Sequence, residues 1–280
     1  MKGAFRDELR RVLRKEIPRE AAGALPSGFQ RIGDVILLSL KGELSPFGDR
    51  IGDAVLRLFP DAKTVCSRSC ISGELRRPGI RKLAGNGTVT THRENGCLYR
   101  LDVGKVMFSK GNVKERGRLP ALVKEGETIV DMFAGIGYFT IPIARTGKPS
   151  VVYAIEKNPD SVRFLRKNIE LNKVKNVSVM ETDNREAGLE GTADRIIMGY
   201  LPGTEKFLGR AVDILKERGV IHFHNTYRKD ELWEVPERHL KEAANNAGYY
   251  VDIMERRVVK HFSPGVKHVV IDAVFTAGKP

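Results

Sequence analysis

At 280 residues and 31.2 kDa the chain is long enough to bury a full core and to divide into two domains. No apolar run is long enough to span a membrane and Met1 to Glu8 hold no apolar signal core, so the expected location is cytoplasmic. Lys and Arg outnumber Asp and Glu by 25 to 14 in residues 1–125 but only by 23 to 21 in residues 126–280, so the net charge of +13 is concentrated upstream; a polyanion, nucleic acid being the commonest, is the natural partner, and a solvated basic surface is the alternative.

In chain order, Phe5 to Lys15 has Phe5, Leu9, Val12 and Leu13 on one helical face, and Pro18 ends the segment. Phe29 to Leu40 reads as one or two strands, Ile51 to Phe59 as an amphipathic helix and Thr64 to Cys66 as a short strand. The three cysteines, Cys66, Cys70 and Cys97, form no metal-type double pair; Cys66-x-x-x-Cys70 has a spacing open to a metal, but Cys66 and Cys70 are expected as buried thiols. Ile71 to Lys82 is polar and basic and is expected as a loop able to meet phosphate. Val89 to His92 and Cys97 to Val103 flank the turn signal Glu94-Asn95-Gly96, a hairpin pattern. These elements make a small α+β domain over residues 1–105. Lys105 to Arg118 then reads as a basic linker, in which Ser109 and Arg116 are of the types that hold an amino acid carboxylate.

From Glu127 strand and helix signals alternate, which predicts a doubly wound parallel sheet in a second domain, residues 106–280. Its organising stretch is Ile129 to Thr140, a buried strand, a turn and a helix start. Gly135 and Gly137 allow the backbone to approach a ligand closely, and the helix N-terminus offers unpaired N–H groups. The pattern Asp131-x-Phe133-x-Gly135-x-Gly137 has an acid on the strand and no third glycine, which favours S-adenosylmethionine (AdoMet), a ligand without a pyrophosphate, over a dinucleotide. Val151 to Ile155 is the second strand and ends at Glu156, where a doubly wound fold binds ribose hydroxyls. Pro159 to Leu171 is a helix with Pro in its first turn, and Val177 to Met180 a third strand followed by Asp183 and Asn184, placed to meet adenine. The fourth strand, Asp194 to Met198, leads into Gly199-Tyr200-Leu201-Pro202, which should face the substrate. In the fifth, Gly219 to Asn225, His222 and His224 share a strand face; without a third ligand, packing or hydrogen bonding is preferred to a metal. Tyr249 to Glu255 and His268 to Phe275 read as two final antiparallel strands.

The blocks Asp131 to Gly137, Ala154 to Lys157, Asp183 to Arg185, Asp194 to Tyr200, Ile221 to Asn225 and Ser263 to Val270, with Arg31 to Val35, Gly73 to Arg76 and Lys105 to Ser109 upstream, resemble the archaeal tRNA-wybutosine synthesizing aminocarboxypropyltransferases over nearly the whole chain. The related archaeal and eukaryal tRNA guanine-N1 methyltransferases are similar up to the fourth strand, where they carry Asn-Leu-Pro; the aligned positions here are Gly199, Tyr200 and Leu201, while Leu201-Pro202 matches the methyltransferase. The resemblance implies a Rossmann-like class I AdoMet-dependent transferase with a seven-stranded sheet. It implies transfer of the 3-amino-3-carboxypropyl group to C7 of 4-demethylwyosine at position 37 of phenylalanine tRNA, with release of methylthioadenosine; guanine-N1 methylation at position 37 is the alternative. It assigns cofactor contacts to Ser109, Arg116, Glu156, Asp183 and Asn184, with Asp131, Gly135 and Gly137 shaping the pocket. Tyr200, His222 and His224 are candidates for taking the C7 proton. The basic first domain is expected to hold the anticodon region of tRNA, and the protein to be a monomer needing no metal.

Overall fold

The computed structural model describes residues 4–278. Met1 to Gly3, part of the segment read above for a signal, lie outside them. The chain forms two compact units, one running to Glu94 and resuming over Leu98–Phe108, the other comprising Asn95–Cys97 and the chain from Ser109 onward.

In the first unit, helix α1 (Ala4–Val12), the single turn α2 (Arg19–Ala22), strands β1 (Gln30–Ile32) and β2 (Val35–Leu38), helix α3 (Gly48–Leu58) and strands β3 (Thr64–Ser72) and β4 (Arg77–Gly85) build a sheet of order β1-β2-β3-β4. Only β2 and β3 pair in parallel. Leu9 and Leu13 from the first helical segment, Ile51 and Val55 from α3, and Ile36, Leu38 and Val65 from the sheet are all fully buried in one core. Strands β5 (Val89–Glu94) and β6 (Cys97–Asp102) follow as the expected hairpin, with Asn95 and Gly96 both at positive φ.

Two expectations fail here. Ile71 to Lys82 is no loop: β3 and β4 run on as an antiparallel hairpin, with Ser72 opposite Arg77 and Arg68 opposite Ile80. Its residues are solvated on both faces, so ladder hydrogen bonds carry the pairing and the apolar alternation that marks a strand is missing. Cys70 lies on that solvated part and is exposed, whereas Cys66 and Cys97 are buried. Burial pushes the Cys66 thiol up to about 11, with Lys82 opposing and Asp102 adding to the shift.

The second unit is α/β. Helix α4 (Val113–Leu122) precedes β7 (Thr128–Asp131), α5 (Thr140–Ala144), β8 (Val151–Ile155), α6 (Pro159–Leu171), β9 (Val177–Met180), β10 (Ala193–Met198), α7 (Leu208–Ile214), β11 (Leu215–Arg228), α8 (Glu234–Asn246), β12 (Tyr249–Ser263) and β13 (Val266–Ala277). The sheet has seven strands in the order β12-β13-β11-β10-β7-β8-β9. Strands β7 to β11 are parallel; β13 pairs antiparallel with β11 and β12. Burial on both faces explains the continuous apolar runs. Val130, Ile196 and Met198 face a core shared with α7 and α8, while Ile129 and Ile197 face one shared with α4 and α5. Asn158 caps α6, accepting from the Asp160 N–H at 3.1 Å, and Pro159 fixes its first turn.

The stretch read as a basic linker is also ordered. A 3-10 turn, Lys110–Asn112, leads into α4, and Ser109 caps it by accepting from the Gly111 N–H at 3.3 Å. On β12 the register against β13 shifts three times, between Ile253 and Glu255, Val258 and Lys260, and His261 and Ser263.

Candidate active site

Sheet order reverses between β7 and β10, so the carboxyl ends of these strands open a crevice. Asp131 ends β7, Glu156 follows β8, Asp183 and Asn184 follow β9, and Tyr200 follows β10.

After β7 the chain turns through Met132 to Phe139, and α5 begins only at Thr140, later than expected. Asp131 is fully buried and ties strand to helix: one oxygen accepts the Thr140 hydroxyl at 2.8 Å and the other the Phe133 N–H at 3.4 Å. Burial drives its carboxyl up to about 6 against those hydrogen bonds, and the Glu156 charge adds to the rise. Gly135 and Gly137 have φ of 57° and 96°, a region that favours glycine. Protein atoms occupy the space beside them. A Cβ on Gly135 would lie 2.7 Å from the Tyr138 ring, and one on Gly137 2.6 Å from Ile141 and 2.9 Å from Leu165. Turn geometry and packing both therefore require glycine at these two positions.

Glu156 closes the next gap. One carboxylate oxygen accepts the Gly135 N–H at 2.9 Å and the other the Asn158 N–H at 2.7 Å. Burial raises its pKa despite these bonds. The Lys157 backbone N–H is a third donor, and since a carboxylate has about four lone-pair directions, capacity for a further donor remains. Asp183 is held by cations, bidentate from Arg185 at 2.7 and 2.8 Å and from Lys157 at 3.3 Å, and Arg185 most strongly keeps its carboxyl well below the usual range. Beside it Asn184 is buried, and its side-chain carbonyl oxygen has no hydrogen-bond partner. An unsatisfied buried acceptor at a strand's carboxyl end is a ready partner for an exocyclic amine.

Ser109 and Arg116 come together as expected. The Arg116 side chain is buried, donates to the Ser109 carbonyl at 2.9 Å and lies over the Tyr138 ring at 5.6 Å. Tyr138 thereby joins the Arg116 cluster to the Gly135 turn, a role that only its place next to Gly137 could have suggested. The Lys260 amino group also reaches Ser109, donating to its hydroxyl at 3.3 Å.

The three proton-accepting candidates separate. Tyr200 is half-buried, stacks on Phe133 at 5.2 Å and meets the edge of Phe207 at 5.9 Å. His222 is inside the sheet with both ring nitrogens engaged, one with Arg195 at 2.8 Å and the other with Asp272 at 2.6 Å. Desolvation lowers its pKa more than Asp272 raises it. Asp272 also receives Arg118 at 2.6 and 3.2 Å, and Arg195 pairs with Glu127, so these groups form one buried network. His224 is buried against Phe139 and 3.3 Å from His268; its Nε2 has no partner, and burial drives its pKa far down.

The TYW2 N-terminal domain family matches residues 9–88, and the TRM5/TYW2 methyltransferase domain family matches residues 90–252. A Methanocaldococcus jannaschii protein named tRNA(Phe) (4-demethylwyosine(37)-C(7)) aminocarboxypropyltransferase is 47% identical, covering 88% of this chain and 97% of its own length. A tRNA (guanine(37)-N(1))-methyltransferase Trm5b of Pyrococcus abyssi is 36% identical over 91% of this chain and 77% of its own. The crystal structure of Pyrococcus horikoshii TYW2 in complex with MeSAdo superposes with a TM-score of 0.86 at 41% identity, covering 98% of this chain and 100% of the other. With both matched domains, this fold and a near-full-length relative of this identity, the chain belongs to the TRM5/TYW2 family.

Proposed function

We propose that this protein transfers the 3-amino-3-carboxypropyl group of AdoMet to C7 of 4-demethylwyosine at position 37 of phenylalanine tRNA. One observation carries the reading: the aminocarboxypropyltransferase relative is 47% identical across 97% of its length, whereas the Trm5b relative is 36% identical across 77% of its own. The residues of the crevice fit the donor. Glu156 keeps acceptor capacity for ribose hydroxyls, and the unpartnered Asn184 oxygen suits the adenine amine. Ser109 and Arg116 would hold the methionine carboxylate. When bound, AdoMet supplies a sulfonium: as C7 bonds to the methionine γ-carbon, the carbon–sulfur bond breaks, its electron pair leaves with neutral methylthioadenosine, and C7 loses its proton.

The protein's contribution is orientation, since a sulfonium offers three carbons and the residues that fix its two ends decide which one faces the base. Tyr200, stacked on Phe133, offers an aromatic face to a flat tricyclic base. Of the three candidates it alone stands half-exposed at the strand ends, which favours it over the engaged His222 and the buried His224 as the group nearest the C7 proton. The first unit carries Arg68, Arg77, Arg81 and Lys82 exposed on the β3–β4 hairpin, a surface suited to the phosphates of the anticodon arm. No helix among the described residues is long and apolar enough to cross a membrane.

The test is incubation with 4-demethylwyosine-bearing and with unmodified phenylalanine tRNA, using AdoMet labelled in its carboxyl or its methyl carbon. Carboxyl label entering only the modified tRNA is expected. Methyl label entering unmodified tRNA would overturn the reading in favour of guanine methylation.

A further inference from the structure

Among the described residues Lys260 is a cation with no acidic partner. Its amino group donates to the Ser109 hydroxyl at 3.3 Å, and it is half-buried. The acids near it in the fold are taken: Glu115 pairs with Arg118 and Arg257, and Glu255 with the same two arginines. Its neighbour is a second cation, since burial first and then the Arg116 charge lower the Lys260 pKa.

Three features of the fold hold it there. The register shift between Val258 and Lys260 re-aims the side chain of β12. Gly111 leaves its backbone bare where the Lys260 side chain lies, so any Cβ there would collide with the lysine. The Ser109 oxygen accepts from Gly111 N–H and from Lys260, which fills its acceptor directions and leaves its own O–H to donate outward. A hydroxyl donor, a guanidinium and an ammonium converge, and together they match a carboxylate.

We propose that Lys260 is a specificity-determining residue of the donor site, completing with Ser109 and Arg116 a cradle for the carboxylate of the amino acid end of AdoMet. This rests on the donor reading given above. The carboxylate belongs to the group that is transferred, so Lys260 distinguishes ligands that carry it from methylthioadenosine, which does not.

The experiment is calorimetric titration of the full chain with AdoMet, S-adenosylhomocysteine and methylthioadenosine, for the wild type, Lys260→Met and Lys260→Arg. Loss of a charge-assisted contact predicts about 10- to 100-fold weaker binding of the two carboxylate ligands to Lys260→Met, unchanged binding of methylthioadenosine, and substantial recovery in Lys260→Arg. Unchanged AdoMet affinity in Lys260→Met would overturn the proposal. So would an equal loss for all three ligands, which would make Lys260 a support of the fold. A wild type that binds none of them would refute the donor reading itself, and this proposal with it.

Discussion

Replacing Asp131 by Asn isolates the cost of an ionised carboxylate at the base of the crevice. Asp131 is fully buried, and its carboxyl is raised from 3.8 to about 6. A raised carboxyl contributes stability that is complete below the unfolded value and is lost as pH rises through the folded one. A shift of about two units at about 1.4 kcal/mol each gives a penalty of about 3 kcal/mol at pH 8, of which about half is present at pH 5. Asn keeps the two side-chain-length contacts, its oxygen accepting the Phe133 N–H and its amide donating to the Thr140 hydroxyl, which rotates, and gives up the weaker Thr140 backbone contact. Asp131→Asn should therefore be the more stable protein at pH 8, by up to about 3 kcal/mol, with the advantage roughly halved at pH 5. The single tryptophan, Trp233, packs on the core of the second unit, so its fluorescence during urea unfolding reports that unit directly. A difference of the same size at both pH values would refute the reasoning, because contact geometry without ionisation has no reason to follow pH.

Removing Asp272 should act in the opposite direction. Asp272→Ala leaves Arg118 and His222 buried without their shared acceptor, and thermal unfolding should show a loss of about 3 to 5 kcal/mol. Asn184→Ala should weaken AdoMet and methylthioadenosine alike, by about 10-fold in calorimetry, because both carry the adenine that the Asn184 oxygen is suited to meet. A colorimetric thiol reagent should find one fast cysteine, Cys70, while Cys66 and Cys97 react only on unfolding.

Legibility in the sequence followed burial. Strands β7, β8, β9 and β10 and helix α6 were readable because apolar runs, a capping Asn158 and Pro159 are local signals. The β3–β4 hairpin and the outer reaches of β11, β12 and β13 were not, because solvated strands carry no apolar alternation and only pairing defines them. Motif positions were read correctly as lying at strand ends, but their physical roles were less accessible. The reason for Gly135 and Gly137 is Tyr138, Ile141 and Leu165, and the reason for His222 is Asp272, fifty positions on. What marks Lys260 is a register shift on β12 and a serine 151 residues earlier, and no local pattern shows either.

The shifts along β12 also bear on association. A long strand at the margin of a sheet offers unpaired N–H and C=O groups to any passing chain, and proteins commonly blunt that template with irregular register and charge. Here β12 is the margin. It departs from regular register three times in 15 residues and carries Arg256, Arg257 and Lys260 between the shifts. The opposite margin, β9, is only four residues long. Neither margin of this seven-stranded sheet presents a long regular ladder, which disfavours its extension by a strand from a second copy.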